Sequence, residues 1–235
     1  MDDKHPDAWP ASIAIDGPAG SGKTTVARLV AARLGYLYVD TGAMYRAVTL
    51  RVLRQGAALA EESLTPLLAD VRLRLGLAAE AGLTPVWLDN QRVDGLIRGA
   101  QVTRHVSAVS AHHLVRRAMV ALQREIGNGV PVVMEGRDIG TVVLPGATTK
   151  VLLTASLAER ARRRARETVA RGTKTTPMAQ YWALRRRDRF DRTRADSPLR
   201  LAPGATVVDS TRLGPAEVAD RIVVLHAAHT GGCVL

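Results

Sequence analysis

Residues 13–24 read IAIDGPAGSGKT. An apolar run enters Gly17, passes four residues and reaches Gly22-Lys23-Thr24, the spacing G-x-x-x-x-G-K-[ST] of a phosphate-binding P-loop. Glycines in such a loop let backbone N–H groups turn toward a phosphate chain. The Lys23 ammonium is long enough to reach the outer phosphates, and the Thr24 hydroxyl suits Mg²⁺. An apolar-periodic helix pattern follows (Val26, Leu29, Val30, Leu34), and its N-terminus adds positive potential.

Three further constellations carry charge where a substrate could meet it. Asp40-Thr41-Gly42-Ala43-Met44-Tyr45-Arg46 follows a second apolar run, Tyr36–Asp40. Arg46 there could hold a phosphate with two parallel hydrogen bonds, or Asp40 or Thr41 could simply cap a helix that carries a surface arginine. Gly136-Arg137-Asp138-Ile139-Gly140-Thr141 follows the apolar run Val130–Glu135. It reads as a tight turn presenting Arg137 and Asp138 at a sheet edge, or as a structural salt bridge. Glu135, at the strand end, is a candidate to support Mg²⁺ from behind its direct ligands. The third is the arginine-rich stretch from Arg160 to Arg200, with clusters at 160–166 and 185–194 and with Asp188 and Asp191 among them. Many of these arginines suit a solvated helix face. Guanidinium groups also match the planar, multidentate geometry of phosphate oxygens.

The elements that must position these groups alternate. Strand-like runs occur at 12–16, 36–40, 130–135, 150–153 and 205–208. Between them lie helical patterns at 23–34, 44–54, near 56–66, 106–126, 157–171, 178–192 and 215–226. This alternation predicts a doubly wound α/β fold with a parallel sheet, and P-loop sites lie at the carboxyl edge of such sheets. A short strand-and-turn patch at about 70–100 interrupts the pattern, with few apolar residues of its own, and reads as a small antiparallel insert. The two arginine-rich helices flank a polar segment, 171–177, and together read as a lid closing over phosphates.

The chain has 235 residues, 46% of them hydrophobic, enough for one sizeable core; aromatics are only 3%, so Ala, Leu and Val must build it. A net charge of +11 points to an anionic partner. The low aromatic content offers little for stacking on nucleic-acid bases. Cys233 is the one cysteine, so no internal disulfide forms, which suits a reducing compartment. The first ten residues lack the basic start and apolar run of a signal peptide, and no stretch is apolar enough to span a membrane. These features predict a cytoplasmic protein with no membrane association.

The segments IAIDGPAGSGKTT (13–25), DTGAMYR (40–46), VDGLIR (93–98), EGRDIGTVVLP (135–145), LTAS with ERARRR (153–164), RRDRFDRTRADSPL (186–199) and VVDST (207–211) occur in an order that resembles the bacterial cytidylate kinases, a branch of the nucleoside monophosphate kinases. DTGAMYR and GRDIGTVV are more specific to that family than the P-loop. The resemblance implies transfer of the γ-phosphate of ATP to CMP or dCMP, with Mg²⁺, in a monomer that needs no nucleic-acid partner.

On these residues it implies that Gly17, Pro18, Ala19, Gly20, Ser21, Gly22, Lys23, Thr24 and Thr25 hold the ATP phosphates, Thr24 also binding the metal, and that Arg162 of the lid joins them. Thr41, Tyr45, Arg46 and Arg137 would hold the acceptor monophosphate. Ser107, Arg116 and Asp138 would read cytosine, with Ser110 and Arg117 as alternatives by spacing. Arg187 and Asp191 would lie near the sugar and Arg194 near the phosphates. Lys23, Arg137, Asp138 and Arg194 are the expected catalytic set, with Asp40 or Asp138 supporting Mg²⁺ through water. The expected organisation is one kinase domain, 11–235. Its core is 11–69, 111–156 and 200–226, its insert about 70–110 and its lid about 157–199, with flexible tails at 1–10 and 227–235. Other small-molecule P-loop kinases (for AMP, UMP, shikimate or dephospho-coenzyme A) and a nucleic-acid-binding P-loop ATPase are the competing readings.

Overall fold

Ser12–Asp16, SIAID, alternates two isoleucines with Ser12, Ala14 and Asp16, and it forms a strand buried on both sides. The computed structural model describes residues 11–76 and 84–232; the expectations for residues 1–10 and for Cys233 lie outside the described residues. In chain order the elements are β1 Ser12–Asp16, α1 Lys23–Leu34, β2 Leu37–Asp40, α2 Thr41–Arg54, α3 Glu61–Ala69, β3 Leu73–Leu75, β4 Val86–Leu88, β5 Gln91–Arg92, α4 Ala100–Ala111, α5 His113–Gly127, β6 Val132–Gly136, β7 Thr149–Thr154, α6 Leu157–Ala170, α7 Pro177–Thr193, β8 Thr206–Asp209 and α8 Pro215–Thr230. A 3₁₀ turn, Leu96–Arg98, precedes α4, and a π-helical turn, Ile139–Val143, follows β6.

The five-stranded sheet runs β2-β6-β1-β7-β8, all parallel. Alternation along β1 sorts its two faces. Ile13 and Ile15 pack with Val26 and Val30 of α1 and with Val218 and Ile222 of α8. Ala14 faces the other way, toward Met44 and Val48 of α2, Leu64 of α3 and Met119 of α5. Helices on both faces make the fold doubly wound, as expected.

The insert is a three-stranded antiparallel sheet, β3-β4-β5. Val86, Leu88, Val93 and Ile97 pack on Ala43 and Ala47 of α2, so this patch borrows its core from the helix that carries Arg46. Helix α4 also joins the main core through Val106 and Val109.

Two expectations about helices are corrected. The single helix predicted over 106–126 is two helices. His112 is extended (φ −70°, ψ 128°), and its Nδ1 accepts from the Leu114 N–H as the N-cap of α5. No glycine or proline marks this break. The tail expected to fray from residue 227 is helical to Thr230, because His226 is buried and anchors the last turn.

Candidate active site

The carboxyl ends of β1, β2 and β6 open onto one polar cavity. Its walls include Ala19, Gly20, Lys23 and Thr24 after β1, and Asp40, Thr41, Tyr45 and Arg46 after β2. Glu135, Arg137 and Asp138 line it at the end of β6, Ser110 and Arg116 from α4 and α5, and Arg164, Arg187, Asp191 and Arg194 from the arginine-rich helices.

Each loop is shaped by its sequence. Gly17 is forced by space, since a Cβ there would lie 2.1 Å from the Leu153 carbonyl oxygen. Gly22 has φ 91°, a left-handed conformation that glycine adopts without strain, and it turns the chain into α1. Lys23 Nζ donates to the Pro18 carbonyl at 2.9 Å. Gly17, Pro18, Ser21, Gly22 and Thr25 shape the loop or follow it without lining the cavity. Asp40 caps α2, accepting from the Ala43 N–H at 2.9 Å, so the capping role read from the sequence is present. Arg46 one turn on is no surface residue: it lines the cavity and donates to the Ile97 carbonyl and the Thr103 hydroxyl. Thr41 donates to the Glu135 carbonyl at 2.7 Å, tying the ends of β2 and β6 together.

The loop after β6 is held from below by a residue the sequence reading did not single out. Asp16 accepts the N–H groups of Ile139 and Gly140, both at 2.8 Å, from the end of β1. Burial pushes its carboxyl up to about 6, although those two N–H donors oppose the shift. Asp16 thereby fixes the π-helical turn and, just before it, Arg137 and Asp138. Arg137 Nε donates to Asp191 Oδ2 of α7 at 2.8 Å. Asp138 pairs with the buried Arg116, and Arg194 stands 3.8 Å from its other oxygen. The Arg116 guanidinium lies over the Tyr45 ring, 5.4 Å from its centre.

The cations crowd one another. Burial, with Arg137 and Arg187 nearby, lowers Lys23 to about 7. Burial and the neighbouring Arg187 and Arg98 lower Arg46 to about 10, and burial and Arg137 lower Arg187 to about 10. Glu135 is pushed the other way by burial and by Asp40. Burial also raises Asp191, but Arg137 and Arg187 outweigh it and hold the carboxyl below its ordinary value. Such a pocket gains free energy by taking in negative charge, because an anion relieves this repulsion.

Outside the 17–25 segment, two predicted residues are not in the cavity. Ser107 does not line it; Ser110, one turn along α4, does, and its hydroxyl donates to the Ser107 carbonyl. Arg162 points to solvent, 60% exposed and paired with Glu159 at 3.4 Å. Arg164 lines the cavity instead. Among the described residues no group of three or more His, Cys, Asp or Glu could hold a metal ion by itself. The oxygen donors on the P-loop side are Thr24, Asp40 and Glu135. No helix among the described residues is long and apolar enough to cross a membrane.

Comparison with known proteins bears on this arrangement. The family model for cytidylate kinase matches residues 13–228. The chain is 49% identical over 212 residues to a cytidylate kinase of Geobacillus thermodenitrificans, covering 90% of this chain and 94% of that one. It is 48% identical over 213 residues to a cytidylate kinase of Pelotomaculum thermopropionicum, with the same coverage of 90% and 94%. In fold it is similar to a solved structure of an uncharacterized protein from Eubacterium ventriosum, with TM-score 0.52, 10% identity and coverage of 93% and 99%.

Proposed function

The chain belongs to the cytidylate kinase family and is an ATP-dependent transferase that phosphorylates CMP; from that premise we propose how its residues divide the work. The observation that carries the reading is the meeting of two anion sites in one cavity, the P-loop with Lys23 on one side and Arg46, Arg137, Arg187 and Arg194 on the other. ATP phosphates lie along the P-loop. The acceptor, CMP or dCMP, places its phosphate among Arg46, Arg137 and Arg194, with Arg187 and Asp191 toward the sugar.

Asp138 faces the base. A carboxylate can accept a hydrogen bond from the exocyclic amine of cytosine, and the flanking Arg116 and Arg194 hold the Asp138 side chain in place. An acceptor phosphate oxygen attacks the γ-phosphorus in line. The bond from that phosphorus to the bridging oxygen breaks, and ADP leaves with the electron pair. No protein base is required, because the acceptor phosphate is already ionised at neutral pH. Lys23, Arg137 and Arg164 neutralise the charge that builds on the transferred group. The insert and the arginine-rich helices close on the substrates and exclude water.

Mg²⁺ fits the donors present: Thr24 would hold it together with the nucleotide phosphates, with Glu135 and Asp40 near enough in the cavity wall to accept from its waters. When bound it neutralises phosphate oxygens. The reading takes the protein as a monomer acting in the cytoplasm on nucleotides alone.

The test is an ADP-release assay with ATP·Mg²⁺ and, in turn, CMP, dCMP, UMP, AMP and GMP. Turnover with CMP and dCMP and little with AMP or GMP supports the assignment. No monophosphate-dependent turnover overturns it. Lys23→Met and Arg137→Met each lower turnover by about 10²–10³ or more while leaving the fold intact.

A further inference from the structure

Arg160 takes no part in the contacts proposed above, yet it is a buried arginine on the first turn of α6, 5% exposed. All three of its guanidinium nitrogens are committed. Nε donates to the Ala155 carbonyl at 3.0 Å, and Nη1 to the Ala19 carbonyl of the P-loop at 3.1 Å. Nη2 pairs with Asp188 Oδ2 of α7 at 2.7 Å. The P-loop is seated against this residue as well as bonded to it: a Cβ at Gly20 would lie 3.3 Å from Arg160 Cβ.

Asp188 is three residues from Asp191, so the two buried carboxylates share one face of α7. Asp188 ties that helix to the P-loop through Arg160; Asp191 ties it to the loop after β6 through Arg137. The same helix carries Arg187, next to Asp188, into the cavity, and Arg194 caps its end. Helix α7 is therefore clamped at adjacent turns to the donor half and the acceptor half of the site.

We propose that the Arg160–Asp188 pair is a positioning contact that couples the two halves: occupation of the P-loop by the donor sets α7, and with it the groups that receive the acceptor. The proposal rests on the phosphotransfer reading above. Three features support it. An ion pair this deeply buried is costly to break on one side alone, so the helix follows the P-loop rather than separating from it. Arg160 bonds the Ala19 carbonyl itself, so backbone rearrangement around a phosphate is passed on directly. Asp188 Oδ1 is buried with no hydrogen-bond partner among the described residues. The pair thus holds through one oxygen, and the other can take its place as α7 turns.

The experiment measures binding of a non-hydrolysable ATP analogue with and without saturating CMP, in the wild type and in Asp188→Asn, alongside melting temperature and turnover. In the wild type CMP should tighten analogue binding by about fivefold or more, the lower range of coupled sites. In Asp188→Asn the ratio should fall toward one. A destabilised but uncoupled structural role would lower the melting temperature and leave the ratio alone. Should Asp188→Asn not fold, Arg160→Lys keeps the charge opposite Asp188 but cannot make all three contacts, and its ratio should fall as well. A wild-type ratio of one, or an unchanged ratio in a folded variant, overturns the coupling. A wild type without CMP-dependent turnover overturns the underlying function instead.

Discussion

Asp16, at the end of β1, accepts the backbone N–H of Gly140 at 2.8 Å, and through this contact the strand bearing the P-loop also holds the turn next to Arg137 and Asp138. The same carboxylate takes the Ile139 N–H, so one side chain satisfies two donors of a buried π-helical turn. Asp16→Ala removes both acceptors at once. Each buried donor left unpaired costs about 1–3 kcal/mol, so thermal or denaturant unfolding should show a loss of that order or somewhat more. Turnover should fall with it, because Arg137 and Asp138 lose their support. Wild-type stability in the variant would contradict this role.

Lys23 connects pH to donor binding. Its ammonium is lowered to about 7 in the free protein, first by burial and then by Arg137. Bound phosphates favour the charged form and raise that value, so binding above about pH 7 takes up a proton. Affinity for ATP should therefore weaken as pH rises above about 7, by at most about tenfold per unit. Calorimetry in buffers of different ionisation enthalpy reads the uptake directly. Binding with no linked proton in this range would refute the argument.

The two serines of α4 separate by experiment. Ser110 lines the cavity and Ser107 does not. Ser110→Ala should raise KM for CMP several-fold with little change in KM for ATP, and Ser107→Ala should change neither appreciably. The reverse pattern would restore the assignment made from sequence spacing.

At the opposite edge of the sheet, His226 anchors α8. Its Nε2 meets the Tyr36 hydroxyl at 3.1 Å, and its Nδ1 meets the Thr149 hydroxyl at 2.8 Å, which His229 also reaches at 3.0 Å. Burial, then His229, holds the His226 pKa below its ordinary value. The unfolded chain therefore takes a proton at higher pH than the folded one. Stability from this residue is present above the unfolded pKa of about 6.5 and is lost as pH falls through it. Melting temperature should drop between pH 7 and pH 5, and the drop should be smaller in His226→Gln. An equal drop in both proteins would remove His226 as the cause.

Much of the site was legible because its signals are local. The P-loop is a run of consecutive residues whose backbone forms the cradle. Asp40 ends one apolar strand and Arg137 and Asp138 directly follow another, where a parallel sheet must present them at one edge, and Arg46 lies on the first turns of the helix after Asp40. Outside the 17–25 segment, the expected residues that the cavity does not include fall on helices. Ser107 and Ser110 differ by three residues, about 60° around α4, and Arg162 and Arg164 by two, about 160° around α6. Spacing from a neighbouring motif does not set helical phase that finely. The break at His112 had no glycine or proline to announce it. Asp16 and Arg160 lay inside recognised segments, yet the partners of Asp16 at 139 and 140, and the Ala19 carbonyl that Arg160 holds, are more than a hundred residues away in the chain.

The order of residues by itself determined that a glycine-rich turn joins the first strand to the first helix, and that the strands alternate with helices in a parallel sheet. Those outcomes follow from glycine placement, apolar periodicity and hydrogen bonding between near neighbours in sequence. Tertiary structure alone decided which of the many arginines are sequestered among phosphate-binding groups and which are solvated. Arg116, Arg160 and Arg187 are pulled from water and paired or crowded, while Arg162 stays in it. A guanidinium acts differently in those two settings because burial strengthens its electrostatic interactions, and burial is a property of the packed chain rather than of its order.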